Sequence, residues 1–334
     1  MRPITEAADA EGPGRRPGTG RAVALLALVG LATLIPLLGP RAALHGTGEA
    51  AAPGVGGIAL LRAVLFAALC VPAGELLAAR LARRVPGAPL EQAPRSWAPY
   101  AAIAGFVAAL GLASVVATGN LLPHHLSDID VGGLYQSRDG KLALLEVNAF
   151  LAAGLCALSR RPGTQVWPLA AAAAAEALRA HPATEHGPLV GSGLTLVHVT
   201  CAALWVGGLL HVLRLLRRWR GGPAGAALLG LYARVAAVLL AALTATGLWS
   251  ALRRMPPGTI VDQLTTTAYG RTLLAKVLLV AAVAVLALWA RLRLRRAPDP
   301  LSACSPARGE VVALGLVVTV SALLTALPLP IRWS

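Results

Sequence analysis

The sequence has little of several residue classes on which soluble and secreted domains depend. Charged residues make up 13% of the 334 positions, whereas hydrophobic residues make up 56% and aromatic residues only 4%. The charged share is about half that of an average soluble domain. The four cysteines include no CxxC pair, which argues against a disulfide scaffold. No GxxxxGK[ST] loop is present, so any transport by this chain is expected to be passive or ion-coupled.

The distribution of positive charge argues against a nucleic-acid-binding domain. The formal net charge is +15 at pH 7, which on one face of a soluble domain would indicate a nucleic acid. The arginines instead form short clusters between long apolar runs, as in a membrane protein with basic cytoplasmic loops. We therefore expect the lipid bilayer, and no nucleic acid, as a partner.

Apolar runs predict an all-α, polytopic transmembrane helical bundle of about nine spans, because a spanning helix needs about 20 mostly apolar residues. The runs are 22–39, 57–78, 99–118, 141–158, 166–180, 191–215, 228–252, 270–290 and 310–328. Residues 1–21 are polar and rich in Pro and Gly, which predicts a disordered cytoplasmic tail. Residues 22–160 then hold four spans and residues 166–328 hold five, of which the short, Ala-rich run 166–180 gives the weakest signal.

The basic residues predict how these spans are oriented. With the N-terminus inside, the inner segments hold more than twice as many of the 30 lysines and arginines as the outer segments. Short basic loops stay on the cytoplasmic side. We therefore predict a cytoplasmic N-terminus and an outer C-terminus in a plasma membrane of bacterial type.

One predicted helix carries a stripe of side chains that suits a metal ion. His198, Cys201, Trp205 and Gly208 follow the spacing i, i+3, i+7, i+10 and so lie along one face. Imidazole and thiolate are ligands that suit copper. The alternative is a structural histidine that bonds a backbone carbonyl of a neighbouring helix while Gly207 and Gly208 allow close helix packing. His211 lies 13 residues further on, about 20 Å along the axis, and is not expected to share the site.

Further candidate ligands lie on the predicted outer side. The adjacent pair His124 and His125 occurs in the longest outer loop, with Asp128 and Asp130 close behind, and His181 follows the fifth run. Histidines with nearby carboxylates can capture a metal ion at the mouth of a channel. The alternative is a solvated loop with no ligand role.

Several segments resemble one known family. The stretch VHVTCAALWVGGLL resembles the "H…WxGG" helix of the copper resistance protein D family of bacterial inner-membrane proteins, and Thr246-Gly247 matches that family's "TG". Residues 232–236 resemble a helix start of the family, and residues 267–276 match its "T-x-YGR-x-LL-x-K" motif. The resemblance covers about residues 191–328. Its motif positions other than the candidate metal ligands are Trp205, Gly207, Gly208, Arg234, Tyr269, Gly270, Arg271 and Lys276.

The resemblance implies a role in copper handling rather than enzymatic catalysis. Copper uptake or transport across the plasma (inner) membrane, or copper resistance, is the expected function, and copper is the bound or transported species. A copper-delivering partner would be a separate periplasmic or extracellular copper-binding protein. Only Met1 and Met255 are methionines, so a copper path would depend on His, Cys and carboxylates. Two alternatives stay open: a haem-bearing redox membrane protein and a non-transporting copper donor for oxidase assembly.

Lys276 lies about 9 Å inside the eighth predicted span, where an unpaired ammonium is costly. The side chain could extend back to the outer surface, as long basic side chains do at helix ends. It could instead pair with Glu146 or Glu176, which lie near the outer ends of their helices.

Overall fold

Each of the nine apolar runs folds into a helix in the computed structural model. The structure describes residues 19–50, 52–119, 125, 129–181, 187–220, 222–255, 257–296 and 304–327. Within these residues the chain forms eleven α-helices and no β-strand, which confirms the all-α prediction. The helices are α1 (Thr19–Leu44), α2 (Val55–Ala82), α3 (Ala98–Ala117), α4 (Val131–Gln136), α5 (Arg138–Leu158), α6 (Val166–Arg179), α7 (Pro188–Arg218), α8 (Gly222–Arg254), α9 (Ile260–Thr266), α10 (Ala268–Arg296) and α11 (Cys304–Ala326).

Six of these helices are long and apolar enough to cross a membrane: α2, α3, α5, α7, α8 and α10. Shorter apolar stretches occur in α1 and α11, and α6 has only 14 residues. The chain is thus a multi-pass helical membrane protein. That the chain crosses the membrane nine times, with a cytoplasmic N-terminus and an outer C-terminus, stays a prediction. Residues 1–18 of the predicted cytoplasmic tail lie outside the described residues.

Helix α2 lies between two apolar clusters. Along most of its length it packs with α3, α5 and α6 around buried side chains such as Leu65 and Phe150. At its last turns it packs with α7 and α8, and side chains of α10 and α11 join the same cluster through Val283 and Leu314. Helices α10 and α11 also pack against each other, and α11 reaches back to α1 and α2. Helix α7 contributes Val199 to the first cluster and Trp205 to the second.

Glycines set the distance between α7 and α2. A Cβ atom added to Gly207 would lie 1.8 Å from the carbonyl oxygen of Cys70, and one added to Gly74 would lie 1.9 Å from the carbonyl carbon of Gly207. The two backbones therefore touch, which only residues without a side chain allow. The close helix packing expected of Gly207 is confirmed by this contact.

The next residue, Gly208, faces α8. A Cβ atom there would lie 2.8 Å from ring atom Cε2 of Tyr232. The Tyr232 hydroxyl group donates a 2.6 Å hydrogen bond to the backbone carbonyl of Trp205, whose side chain is buried. This bond and the absent side chain hold α8 against the middle of α7.

Candidate functional site

His198 on α7 is bonded to α8, where the side chain of Thr246 and the backbone of Leu243 are its partners. Its Nδ1 lies 3.0 Å from the Thr246 hydroxyl oxygen on α8. The Thr246 hydroxyl donates its single hydrogen to the Ala242 carbonyl at 2.7 Å, so its oxygen accepts from the Nδ1–H of His198. The neutral imidazole then carries its hydrogen on Nδ1 and a lone pair on Nε2. Metal-binding histidines are commonly oriented in this way, by a hydrogen bond from the nitrogen that does not bind the metal.

Two further segments meet at this ring. Gly247 follows Thr246, and a Cβ atom there would lie 3.5 Å from Cε1 of His198, so the helix backbone passes close to the ring edge. Lys276 on α10 is near enough for its ammonium group to interact electrostatically with the imidazole. Cys201 lies one turn along α7 from His198 and is half-buried. We call His198, Cys201, Thr246, Gly247 and Lys276 the His198 cluster.

The His198 cluster supplies few metal donors. A histidine and a cysteine at i, i+3 have Cβ atoms about 5–6 Å apart, close enough for Nε2 and Sγ to approach one ion. In the part of the chain that the structure describes, no group of three or more His, Cys, Asp or Glu side chains comes together. At this place the described residues hold one histidine and one cysteine, three positions apart on α7, near a lysine of α10.

The elements that meet at His198 also carry a family match. Residues 226–327 match the family model for copper resistance protein D. No curated protein and no solved structure matches the chain. The matched segment covers under a third of the sequence and most of α8 to α11, including Thr246, Gly247 and Lys276. Together with the apolar helices it makes the chain a copper-related membrane protein.

Helix α7 precedes the copper resistance protein D segment, although the resemblance seen in the sequence began at about residue 191. His198 is therefore connected to the matched segment by contact rather than by the match itself. Its ring is hydrogen-bonded to Thr246, lies close to the backbone of Gly247 and interacts electrostatically with Lys276. Thr246 and Gly247 were predicted only as motif matches. Their contact with His198 brings together distant parts of the sequence, since Thr246 lies 48 positions after the histidine.

Most of the motif from Thr267 to Lys276 builds a corner between α9 and α10. The Thr267 hydroxyl group caps α10 by accepting a 3.0 Å hydrogen bond from the backbone N–H of Gly270. A Cβ atom on Gly270 would lie 1.9 Å from the Gln263 carbonyl oxygen. Tyr269 is buried beside it. These residues fix the direction in which α10 leaves the corner, and thereby the position of Lys276 two turns later.

Arg271 connects this corner to the beginning of the bundle. Its guanidinium group donates to the backbone carbonyl groups of Thr265 and His45, each at 2.7 Å. The Glu49 carboxylate accepts from the backbone N–H of Ala268 at 3.3 Å. The corner is thus tied to the connection between α1 and α2. Arg234, the remaining basic motif position on α8, is exposed.

His211 is placed differently from His198. Its Nδ1 lies 3.0 Å from the Arg214 guanidinium, and because arginine only donates, Nδ1 accepts and the hydrogen is carried on Nε2. The ring is 3% exposed and contacts Trp97 edge-on, at 6.2 Å between ring centroids. In this arrangement His211 presents no lone pair to a metal ion.

Of the three predicted outer histidines, the structure describes His125 and His181. His181, just after α6, is buried, and its Nε2 lies 2.9 Å from the Thr195 hydroxyl oxygen on α7. His125 is exposed, whereas His124 and Asp128 lie outside the described residues. The Asp130 carboxylate caps α4 by accepting from Gly133 N–H at 3.0 Å. His181 therefore connects α6 to α7.

Four charged side chains meet between α2, α5 and α6. Arg179 Nη2 lies 3.0 Å from Glu146 Oε2 and also pairs with Glu176, and Arg62 Nη1 lies 3.7 Å from Glu176 Oε1. The two carboxylates suggested as alternatives for Lys276 thus pair with arginines. Sequence analysis assigned no role to Arg62, although a charge inside an apolar run is itself a signal of function. We call Arg62, Glu146, Glu176 and Arg179 the buried charge cluster.

Proposed function

We propose that the chain carries copper ions across the plasma membrane, for copper uptake or copper resistance, and that His198 Nε2 is a ligand on the route. The observation that carries this proposal is the hydrogen bond between His198 Nδ1 and Thr246, because a neutral ring that donates through Nδ1 carries its lone pair on Nε2. Cys201 is the second donor, and its sulfur favours copper over hard cations.

A two-donor set next to an ammonium group suits passage more than storage. Conduction requires binding that is favourable enough for entry and weak enough for release. Lys276 repels a copper cation at His198, and few donors oppose that repulsion. In the proposed nine-span topology, with the N-terminus inside and the C-terminus outside, copper would arrive from a separate periplasmic or extracellular protein.

A matched pair of substitutions tests the proposal. His198→Gln keeps an N–H for Thr246 but replaces the imidazole nitrogen with an amide oxygen, a poor copper ligand. His211→Gln keeps an acceptor for Arg214 and serves as the control. We expect copper flux into sealed vesicles to fall by at least about tenfold in the first variant, the usual minimum for a disturbed ligand set, and to stay near wild type in the second.

Membrane abundance and the visible spectrum complete this test. Equal loss of flux in both variants, at normal abundance, would contradict a single site at His198. A lower abundance of His198→Gln alone would identify a packing residue. Haem absorption in the purified protein would favour the redox alternative, and copper binding without vesicle uptake would favour a copper donor for oxidase assembly.

A further inference from the structure

The buried charge cluster places two carboxyl groups on one guanidinium nitrogen. Arg179 Nη2 contacts Oε2 of Glu146 and Oε2 of Glu176. The Glu146 side chain is fully buried and that of Glu176 is 4% exposed. Because both oxygens contact the same nitrogen, the two carboxyl groups lie close to each other. Two ionised carboxylates this close in a buried site repel each other, and one of them commonly carries a proton.

The hydrogen bonds show which group needs the proton. Both carboxylate oxygens of Glu146 are buried and, among the described residues, accept no well-aligned hydrogen bond, although Arg179 lies near one of them. Glu176, in contrast, accepts from Arg179 and lies near Arg62. A protonated Glu146 would donate its O–H to the Glu176 carboxylate, which satisfies both groups.

The surrounding charges act in opposite directions: the Glu176 carboxylate favours a proton on Glu146, whereas the guanidinium groups of Arg179 and Arg62 disfavour it. The groups that act on this pair are Arg62 of α2, Arg179 of α6 and, through Arg179, Asp139 of α5. With both carboxylates ionised, the buried charge cluster is electrically neutral. Transfer of a proton from hydronium to Glu146 releases water and leaves the cluster with a charge of +1. The reaction is a simple protonation and needs no other reactant.

A short chain of contacts connects the cluster to α7. His181 follows Arg179 by two residues and bonds Thr195 on α7, and Thr195 lies one turn before His198. Helix α7 also packs its Val199 against the apolar cluster around α5 and α6. The buried charge cluster is thus joined by short contacts to the helix that carries the proposed copper ligand.

We infer that Glu146 and Glu176 share one exchangeable proton and that this proton is the coupling ion of the transport. The first part depends only on the arrangement of the carboxyl groups, whereas the second rests on the proposed function. Because any transport is expected to be passive or ion-coupled, a buried proton site joined to α7 supplies the coupling ion that the sequence left open.

Infrared difference spectra of the purified full-length chain, recorded between acidic and alkaline buffer, test the shared proton. We expect a carbonyl band of a protonated, buried carboxylic acid that disappears in Glu146→Gln and in Glu176→Gln. Glu91→Gln changes an exposed glutamate and should keep the band. If the wild-type spectrum lacks a band that depends on Glu146 and Glu176, the cluster is a permanently ionised pair network and the inference is wrong.

Copper accumulation in proteoliposomes at zero membrane potential tests the coupling. If one proton moves per copper ion, a difference of one pH unit, about 1.4 kcal/mol, sustains an accumulation of about tenfold. We expect about tenfold copper accumulation in the wild type. Glu146→Gln should not accumulate copper against its gradient but should retain downhill copper flux. A wild-type copper flux that does not change with the pH gradient would contradict the coupling of copper to protons. An absence of any wild-type flux would overturn the proposed transport but leave the infrared result intact.

Discussion

Thr246 on α8 is hydrogen-bonded to Nδ1 of His198 on α7, whereas the proposed copper-binding nitrogen of that ring is Nε2. The hydroxyl hydrogen of Thr246 is committed to its own helix at Ala242, and this fixes the direction of the bond to Nδ1. A threonine that bonds back to its helix thus determines the tautomer of a histidine on the neighbouring helix.

Replacing Thr246 with Val should weaken copper binding by about tenfold, the lower end of the effect of removing an orienting hydrogen bond from a metal ligand. Valine keeps the shape of threonine but accepts no hydrogen bond. Thr246→Ser, which retains the hydroxyl, should bind nearly as well as the wild type. Copper titration of the purified variants measures both, and equal affinities for Val and Ser would show that Thr246 does not orient the ring.

Replacing Gly207 with Ala should destabilise the protein strongly. The new Cβ would lie 1.8 Å from the Cys70 carbonyl oxygen, and overpacking of this kind costs about 1–3 kcal/mol or more. Gly193→Ala on the same helix is the control, because nothing lies within 4 Å of its added Cβ and alanine favours a helix by about 1 kcal/mol. Thermal unfolding in detergent compares them; an unchanged transition in Gly207→Ala would contradict the backbone contact.

Replacing Thr267 with Ala should lower stability and leave copper affinity unchanged. The substitution removes the cap of α10, which typically costs about 1 kcal/mol. Thr267→Ser retains the capping oxygen and should restore most of the loss. Unfolding and copper titration together test this separation. A large loss of affinity in a fully folded Thr267→Ala protein would mean that the corner belongs to the copper site.

The double substitution His124→Ala and His125→Ala should raise the copper concentration needed for half-maximal flux and leave maximal flux nearly unchanged. Loop residues that only raise local occupancy bind the ion equally in the ground state and at the barrier. His198→Ala should instead lower maximal flux. Flux measured against copper concentration distinguishes the two. Continued impairment at saturating copper would place the loop in the route itself, and wild-type behaviour throughout would identify a solvated loop.

A reporter fused after Ser334 should report the outer compartment, and one fused near Arg161 the cytoplasm. This follows from the excess of basic residues in the predicted inner segments. A reporter inserted after Arg84 serves as an internal control for the cytoplasmic side. A cytoplasmic C-terminus would contradict nine spans, and the 14-residue helix α6 would then be the first to reassign.

Much of the fold follows from local sequence, whereas the contacts between helices do not. Apolar runs predicted each long helix because hydrophobic length is a property of consecutive residues. The glycines of α7 indicated a close approach, but nothing local identified Gly74 as the residue that Gly207 touches. The bond from His198 to Thr246 likewise depends on how α7 and α8 are packed.

Charges inside the bundle were the hardest to interpret from sequence. Arg62 lies within an apolar run, so it is not among the basic loop residues from which the topology was predicted. Its proximity to Glu176, and the contact of both Glu146 and Glu176 with Arg179, appear only when α2, α5 and α6 are brought together. Whether these buried charges are paired depends on how all three helices pack together.

The contact between Gly74 and Gly207 gives α7 a fulcrum. Ordinary helix pairs are separated by side chains that can change rotamer as one helix slides past the other, but at this crossing backbone meets backbone. Sliding would drive neighbouring side chains into the opposite backbone, so any movement of α7 against α2 at this crossing would be a swivel. His198 lies nine residues before the fulcrum and His211 four residues after it, lever arms of about 13 and 6 Å. A given swivel thus moves His198 about twice as far as His211, and in the opposite direction.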